Sequence, residues 1–116
     1  MKIAIIGAGN LGLSIAKGLI VSNAYTTLYL TKRKTENIQE YVNYEKVTIT
    51  SNNREAVQNS DILIFAVQPK QIEGVMEEIK EDLNEKLVII STITGVSVSR
   101  MEVIVGDHCI IRAMPN

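Results

Sequence analysis

The sequence predicts an α/β protein with a doubly wound, mainly parallel β-sheet and helices on both faces of that sheet. Short runs rich in Ile, Val and Leu alternate along the chain with segments whose apolar residues recur at helical spacing. The first such run, residues 2–6, leads directly into GAGNLG, and a helical pattern follows. A strand, a glycine-rich turn and a helix in this order are typical of the Rossmann-type fold.

The glycine pattern predicts a dinucleotide-binding site at the start of the chain. Gly7 permits a tight turn, Gly9 lets a pyrophosphate approach the backbone, and Gly12 lets the helix pack closely on the strand. The free amides and the positive dipole end of the helix then face the phosphates. A Gly-rich turn without a ligand is the alternative, but the flanking strand and helix favour binding. The predicted phosphate-binding residues are Gly7, Ala8, Gly9, Asn10, Leu11 and Gly12.

Composition limits the class of protein. The 116 residues suffice for one domain, 1–116, and 46% hydrophobic with 22% charged residues is ordinary for a globular chain. A net charge of −1 gives no general attraction for nucleic acid, and no apolar run reaches membrane-spanning length. Cys109 is the only cysteine, so no intrachain disulfide can form. We therefore expect a cytoplasmic protein with no metal site, in which Cys109 is a buried structural thiol.

The remaining elements follow from periodicity and from turn residues. An apolar stripe that includes Leu11 and Ala16 predicts the first helix, and Asn52 or Asn53 is the expected N-cap of a short helix before strand four. Further strands are predicted at residues 26–30, 46–50, 61–67, 86–90 and 109–113, and further helices at residues 35–44, 51–57, 71–83 and 97–105.

The end of strand two indicates which cofactor is preferred. An NAD site usually carries Asp or Glu there, about 20 residues after the glycines, to accept hydrogen bonds from the ribose 2′-OH. Here Thr31 takes that position and Lys32, Arg33 and Lys34 follow. A 2′-phosphate is an anion that an Arg guanidinium can bind with two hydrogen bonds. The sequence therefore predicts NADP(H) rather than NAD, and a solvated basic turn is the alternative.

Two later turns are expected near the nicotinamide. Gln68 and Pro69 end strand four, which should lie beside strand one, and ligands of open α/β sheets bind at such a switch point. The loop at residues 91–95 leaves the carboxyl end of strand five. Taken alone, this second loop fits a plain Thr/Gly turn better than a site.

Four motifs together resemble the N-terminal domain of pyrroline-5-carboxylate reductase. They are GAGNLG at residues 7–12, SNNREA at 51–56, AVQP at 66–69 and RAMPN at 112–116, of which the last is the most specific. The resemblance covers the whole chain but only the first half of the family's usual length. The family uses NAD(P)H to reduce the imine of pyrroline-5-carboxylate in the last step of proline synthesis. We therefore expect an isolated domain or a truncated piece of a longer protein.

The resemblance also implies roles for single residues. Residues 7–12 would hold the pyrophosphate, and the ribose phosphate would be held by Thr31, Lys32 and Arg33. Asn53 would lie near the adenosine. The nicotinamide side would be lined by Ala66, Val67, Gln68, Pro69 and Thr94. The chain departs from the family at Gln68, where a Lys is usual, and at residues 93 and 94, where small residues are usual.

The resemblance also implies a reaction and partners. The substrate would be a cyclic imino acid, and the whole protein would form a homo-oligomer through a helical domain that this chain lacks. Hydride transfer to an electrophilic imine depends mainly on positioning, and the sequence shows no convincing acid–base pair, so it identifies no catalytic residues. Two alternatives stay open: a nucleotide-sensing module without catalysis, and an oxidoreductase domain of the same superfamily that uses a deazaflavin beside NADP.

Overall fold

The computed structural model describes residues 1–106 and 108–113, except for the side chains of residues 37, 42 and 43. Residues 114–116 of the RAMPN motif therefore lie outside the described residues.

The six strands form one parallel sheet. Their order is β3-β2-β1-β4-β5-β6, and every neighbouring pair is parallel. The chain thus winds outward from β1 in one direction and from β4 in the other, which places the switch point between these two strands. The predicted fold class is confirmed. The strands are β1 (Lys2–Ile6), β2 (Thr27–Thr31), β3 (Val47–Thr50), β4 (Ile62–Phe65), β5 (Val88–Ser91) and β6 (Cys109–Arg112).

Helices cover both faces of the sheet. The α-helices are α1 (Asn10–Ser22), α2 (Asn53–Gln58), α3 (Ile72–Ile79) and α4 (Val98–Val105), and 3₁₀ turns span Thr35–Asn43, Pro69–Gln71 and Lys80–Asp82. None of the described helices is long and apolar enough to cross a membrane.

Alternate residues of β1 belong to two separate cores. Ile3 and Ile5 pack with Ala16 of α1, whereas Ala4 and Ile6 pack in the core that contains Met76 of α3. This division follows from the period of two in a strand, and it explains why β1 is apolar on both faces.

The first helix approaches the sheet through its smallest residues. Gly12 and Ala16 are buried. A Cβ at Gly12 would lie 2.4 Å from the carbonyl oxygen of Gly7, so this close approach requires glycine. Leu11 is 38% exposed, so the prediction that it belongs to the buried stripe is wrong. Gly12 takes the contact with the sheet instead.

Two further predictions are settled by local geometry. Asn52 is the N-cap of α2, and its side chain accepts a hydrogen bond from the Glu55 amide at 3.2 Å. Cys109 is exposed, and the prediction of a buried thiol is wrong. Cys109 begins β6, which lies at the edge of the sheet. Most residues of β6 are exposed.

Candidate dinucleotide-binding site

A cleft of about 1030 Å³ lies at the carboxyl ends of β1, β2 and β4, at the switch point of the sheet. Pro69 and Thr94 do not line it, and neither do the first three residues of α1. The structure brings ten of the predicted site residues together in its wall: Gly7, Ala8, Gly9, Thr31, Lys32, Arg33, Asn53, Ala66, Val67 and Gln68.

The glycine loop, residues 7–9, forms the floor of the cleft. Gly7 has φ of +96°, and a Cβ there would lie 2.6 Å from Cγ1 of Val67, so both backbone and packing require glycine. Gly9 is different, because nothing lies within 4 Å of the position that its Cβ would take. The space above Gly9 is open to a ligand.

The backbone amides of residues 7–12 fall into two groups. Those of Gly7 and Ala8 donate to the Thr31 carbonyl at 3.2 and 2.7 Å, and that of Gly9 donates to the Gly7 carbonyl at 2.9 Å. The next three amides, of Asn10, Leu11 and Gly12, begin α1, where no intrahelical acceptor exists. No side chain of the described residues caps this helix end. These residues can therefore offer backbone N–H groups to an anion.

The basic segment, residues 32–34, stands at the end of β2. Lys32 is half-buried, whereas Arg33 and Lys34 are exposed. Within the part of the chain that the structure describes, none of the three forms an ion pair, although Arg54, Lys80 and Arg100 do, with Asp82, Glu77 and Glu73. The basic segment is thus free to meet an anionic ligand.

Thr31 differs from the residues that follow it. It is only 1% exposed, and its Oγ1 accepts a hydrogen bond from the Gly7 amide at 3.2 Å. Although Thr31 lines the cleft, this hydroxyl is directed to the glycine loop.

Asn53 lines the same cleft as the basic segment. Its Nδ2 donates to Oε1 of Glu78 on α3 at 2.9 Å, which joins α2 to α3 at the cleft wall. The sequence analysis did not identify Glu78 as part of the site.

One face of α3 and of the turn before it completes the wall. Gln71, Gly74, Val75 and Glu78 line the cleft, and they follow the helical spacing i, i+3, i+4 and i+7. Val75 belongs to the apolar spacing that predicts the helix at residues 71–83, but nothing local in the sequence shows that this side of the helix borders the cleft.

The loop after β4, residues 66–68, is held from three sides. The Ala66 amide donates to the Ile6 carbonyl at 2.9 Å, and the Gln68 amide donates to Oε1 of Gln71 at 3.1 Å. Thr92 donates both its amide and its hydroxyl to the Phe65 carbonyl, at 3.1 and 2.8 Å. Thr94, two residues further on, is exposed.

Among the described residues, no three His, Cys, Asp or Glu side chains lie together in a group that could hold a metal ion. The cleft wall offers the cations of residues 32–34, and the free amides at the start of α1 follow directly after residues 7–9 of the same wall. Both kinds of group bind anions, so they suit a ligand with more than one anionic part.

A family model described as "NADP oxidoreductase coenzyme F420-dependent" matches residues 2–95. The chain belongs to this family. Solved structures resemble the chain closely: a pyrroline-5-carboxylate reductase from Coxiella burnetii is 35% identical with a TM-score of 0.92, over 99% of this chain and 44% of that one. A pyrroline carboxylate reductase from Plasmodium falciparum, solved with NADP bound, is 26% identical with a TM-score of 0.85, over 100% and 42%.

Curated relatives agree with the solved structures. Pyrroline-5-carboxylate reductase 2 of Dictyostelium discoideum is 40% identical over 99% of this chain and 40% of its own length. The resemblance predicted from four motifs is therefore confirmed. The chain spans about two fifths of the length of each of these three relatives.

Proposed function

We propose that this chain is the NADP(H)-binding domain of an oxidoreductase similar to pyrroline-5-carboxylate reductase. The observation that carries the proposal is the cleft at the switch point. Among the described residues, no side chain caps the helix amides beside the glycine loop, and none forms an ion pair with the three cations at the end of β2. The relative from Plasmodium falciparum with NADP bound supports this reading.

The predicted residues take the following places in this proposal. The pyrophosphate lies over Gly9 and accepts hydrogen bonds from the first amides of α1. The 2′-phosphate binds the side chains of Lys32 and Arg33. Asn53, held by Glu78, lies near the adenosine. Residues 66–69 line the nicotinamide side. We keep Thr94 there as well, since its loop leaves β5 next to β4.

The chemistry proposed for the whole protein is the reduction of a cyclic imino acid. When bound, NADPH supplies a hydride for the imine carbon, and the imine nitrogen takes up a proton. The described residues of this chain hold and orient the cofactor, while the excess length of the relatives leaves room for a second domain that completes the substrate site and forms a homo-oligomer. We also propose a cytoplasmic location.

A second candidate follows from the description of the family. Because that description names coenzyme F420, a deazaflavin could exchange the hydride with NADPH in place of an imine. Calorimetric titration with F420 tests this candidate. Binding of F420 to the NADPH-loaded chain would favour it, and absence of binding would favour the imine reductase.

The replacement Arg33→Ala tests the proposed function. A charge-assisted hydrogen bond contributes about 1.5–3 kcal/mol, so loss of the Arg33 contact should weaken NADPH binding by about 10- to 150-fold. Binding of NADH, which has no 2′-phosphate, should stay nearly unchanged. Calorimetry with both nucleotides at low and high ionic strength measures this, and the preference for NADPH should shrink with added salt because Arg33 is exposed.

Lys17→Ala is the matched control, since Lys17 is an exposed cation of α1 outside the cleft wall. Equal losses for the two nucleotides in Arg33→Ala would show that Arg33 does not contact the 2′-phosphate. A wild-type preference for NADH would overturn the NADP(H) assignment.

A further inference from the structure

Two buried threonines lie near strand ends on either side of the switch point. Thr31 ends β2, which pairs with β1, and Thr92 directly follows β5, which pairs with β4. Both side chains are nearly inaccessible, with 1% exposure for Thr31 and 8% for Thr92. Each therefore lies beside one of the two strands whose outgoing loops form the cleft.

Thr31 accepts hydrogen bonds from the glycine loop with both its carbonyl and its side chain. Its carbonyl accepts the amides of Gly7 and Ala8 at 3.2 and 2.7 Å, and its Oγ1 accepts the Gly7 amide at 3.2 Å. The Gly7 N–H is thus shared between two acceptors of the same residue. This arrangement fixes where β1 ends and where the glycine loop begins.

On the other side of the switch point, Thr92 donates hydrogen bonds to the end of β4. Its amide and its Oγ1 both donate to the carbonyl of Phe65, the last residue of β4, at 3.1 and 2.8 Å. Because the next amide, of Ala66, donates to the Ile6 carbonyl at 2.9 Å, the exit of β4 is held between β1 and Thr92.

We propose that Thr31 and Thr92 are positioning residues that fix the two cofactor-binding loops through their hydroxyl groups. This inference rests on the proposed function. It gives Thr31 a different role from the one that the family resemblance implies, a contact with the ribose phosphate. A residue that positions the glycine loop acts on the pyrophosphate, which NADPH and NADH share, whereas a residue that contacts the 2′-phosphate acts on NADPH alone.

Isosteric replacement separates these roles. Thr31→Val and Thr92→Val keep the side-chain shape and remove the hydroxyl, and each should weaken NADPH and NADH binding equally, by about 3- to 10-fold, the range expected for one hydrogen bond. Thr31→Ser and Thr92→Ser restore the hydroxyl and should restore affinity to within about 2-fold of wild type. Thr48→Val, in an exposed part of β3 away from the cleft, is the control.

Dissociation constants are measured by calorimetry below the melting temperature of every variant. If Thr31→Val lost affinity for NADPH alone, the proposal would be overturned, and Thr31 would be assigned a contact with the 2′-phosphate. Unchanged affinity in both Val variants, or failure of Ser to restore it, would also overturn it.

Hydrogen exchange of the nucleotide-free chain gives a second readout. The Gly7 amide should exchange faster in Thr31→Val than in wild type and Thr31→Ser, because one of its two acceptors is gone. Unchanged exchange would contradict the proposal. If the wild-type chain bound neither nucleotide, the proposed function would fail, while the exchange rates would still decide whether the hydroxyl fixes the loop.

Discussion

Gly9 differs from the glycines on either side of it in what surrounds it. A Cβ at Gly7 would lie 2.6 Å from Val67, and one at Gly12 would lie 2.4 Å from the Gly7 carbonyl, so the fold itself requires these two glycines. Gly9 has extended backbone angles of −84° and −159°, and its Cβ would meet nothing within 4 Å. Only a ligand would be obstructed by a side chain at Gly9.

The replacement Gly9→Val should therefore leave the fold intact and weaken NADPH binding by about 100-fold or more, equivalent to at least about 2.7 kcal/mol. The physical reason is that the Val side chain takes the space through which the pyrophosphate approaches the amides of α1. Calorimetry measures the affinity, and circular dichroism confirms the fold.

Gly18→Val is the matched control, since Gly18 also has no atom within 4 Å of its Cβ position but lies on an exposed part of α1. Undiminished NADPH affinity in a folded Gly9→Val variant would show that the pyrophosphate binds elsewhere.

Residue-level predictions succeed where the cause is local. The spacing of the three glycines and the absence of a carboxylate after β2 can be read directly from the chain, and both lead to the cleft. The contact between Asn53 and Glu78 joins residues 25 positions apart, so no local pattern shows it. The exposure of Cys109 depends on which strand lies at the edge of the sheet, which composition does not reveal.

At the scale of elements, Asp82 connects α2 to the turn that follows α3. Its carboxylate accepts from Nε of Arg54 and from Nε2 of Gln58, each at 2.8 Å, and its side chain is only 6% exposed. The hydrogen bond from Arg54, and then that from Gln58, lowers the pKa of the Asp82 carboxyl below its usual value. Folding therefore favours the charged form of Asp82.

This pKa shift makes part of the stability depend on pH. A carboxyl whose pKa is lower in the folded than in the unfolded chain contributes stability above its unfolded pKa of about 3.9, and that contribution is lost as the pH falls through the folded pKa. Asp82→Asn should therefore melt a few degrees below wild type at pH 7, and the difference should shrink as the pH falls below about 4.

Calorimetric melting between neutral and acid pH measures this difference, with Glu85→Gln, an exposed carboxylate outside the ion pairs of the described chain, as the control. A difference that stays constant down to the lowest pH would mean that the charge of Asp82 does not contribute.

The elements themselves were predictable, and their ends were less so. All six strands lie within about two residues of the predicted runs, and most of their apolar residues belong to one of the two cores. The helix predicted at residues 35–44 is instead the 3₁₀ segment Thr35–Asn43, with a break at Ile38. The predicted helix at residues 71–83 divides into Ile72–Ile79 and two flanking 3₁₀ turns. Pro69 and the capping contact between Gln68 and Gln71 set the first boundary, and such tightening at helix ends leaves the hydrophobic spacing unchanged.

At the scale of the whole molecule, the chain should bind the cofactor without turning over substrate at an enzymic rate. Hydride transfer requires the imine carbon to be held about 3–3.5 Å from the nicotinamide, and the chain spans about two fifths of the relatives' length. An assay of NADPH oxidation with pyrroline-5-carboxylate should give well below about 1 turnover per second. A full-length relative is the positive control, and turnover by the 116-residue chain at its rate would refute this prediction.

The strand order also has a consequence for biosynthesis. β1 pairs with β2 on one side, but its partner on the other side is β4, and Ile3 lies opposite Ile62. At about 5–20 residues per second, a ribosome needs roughly 3–12 seconds to add the intervening chain. During that time β1, four of whose five residues are apolar, has one open edge, which neighbouring nascent chains can pair with. We therefore expect unwanted pairing through the edge of β1 to be possible until β4 is made.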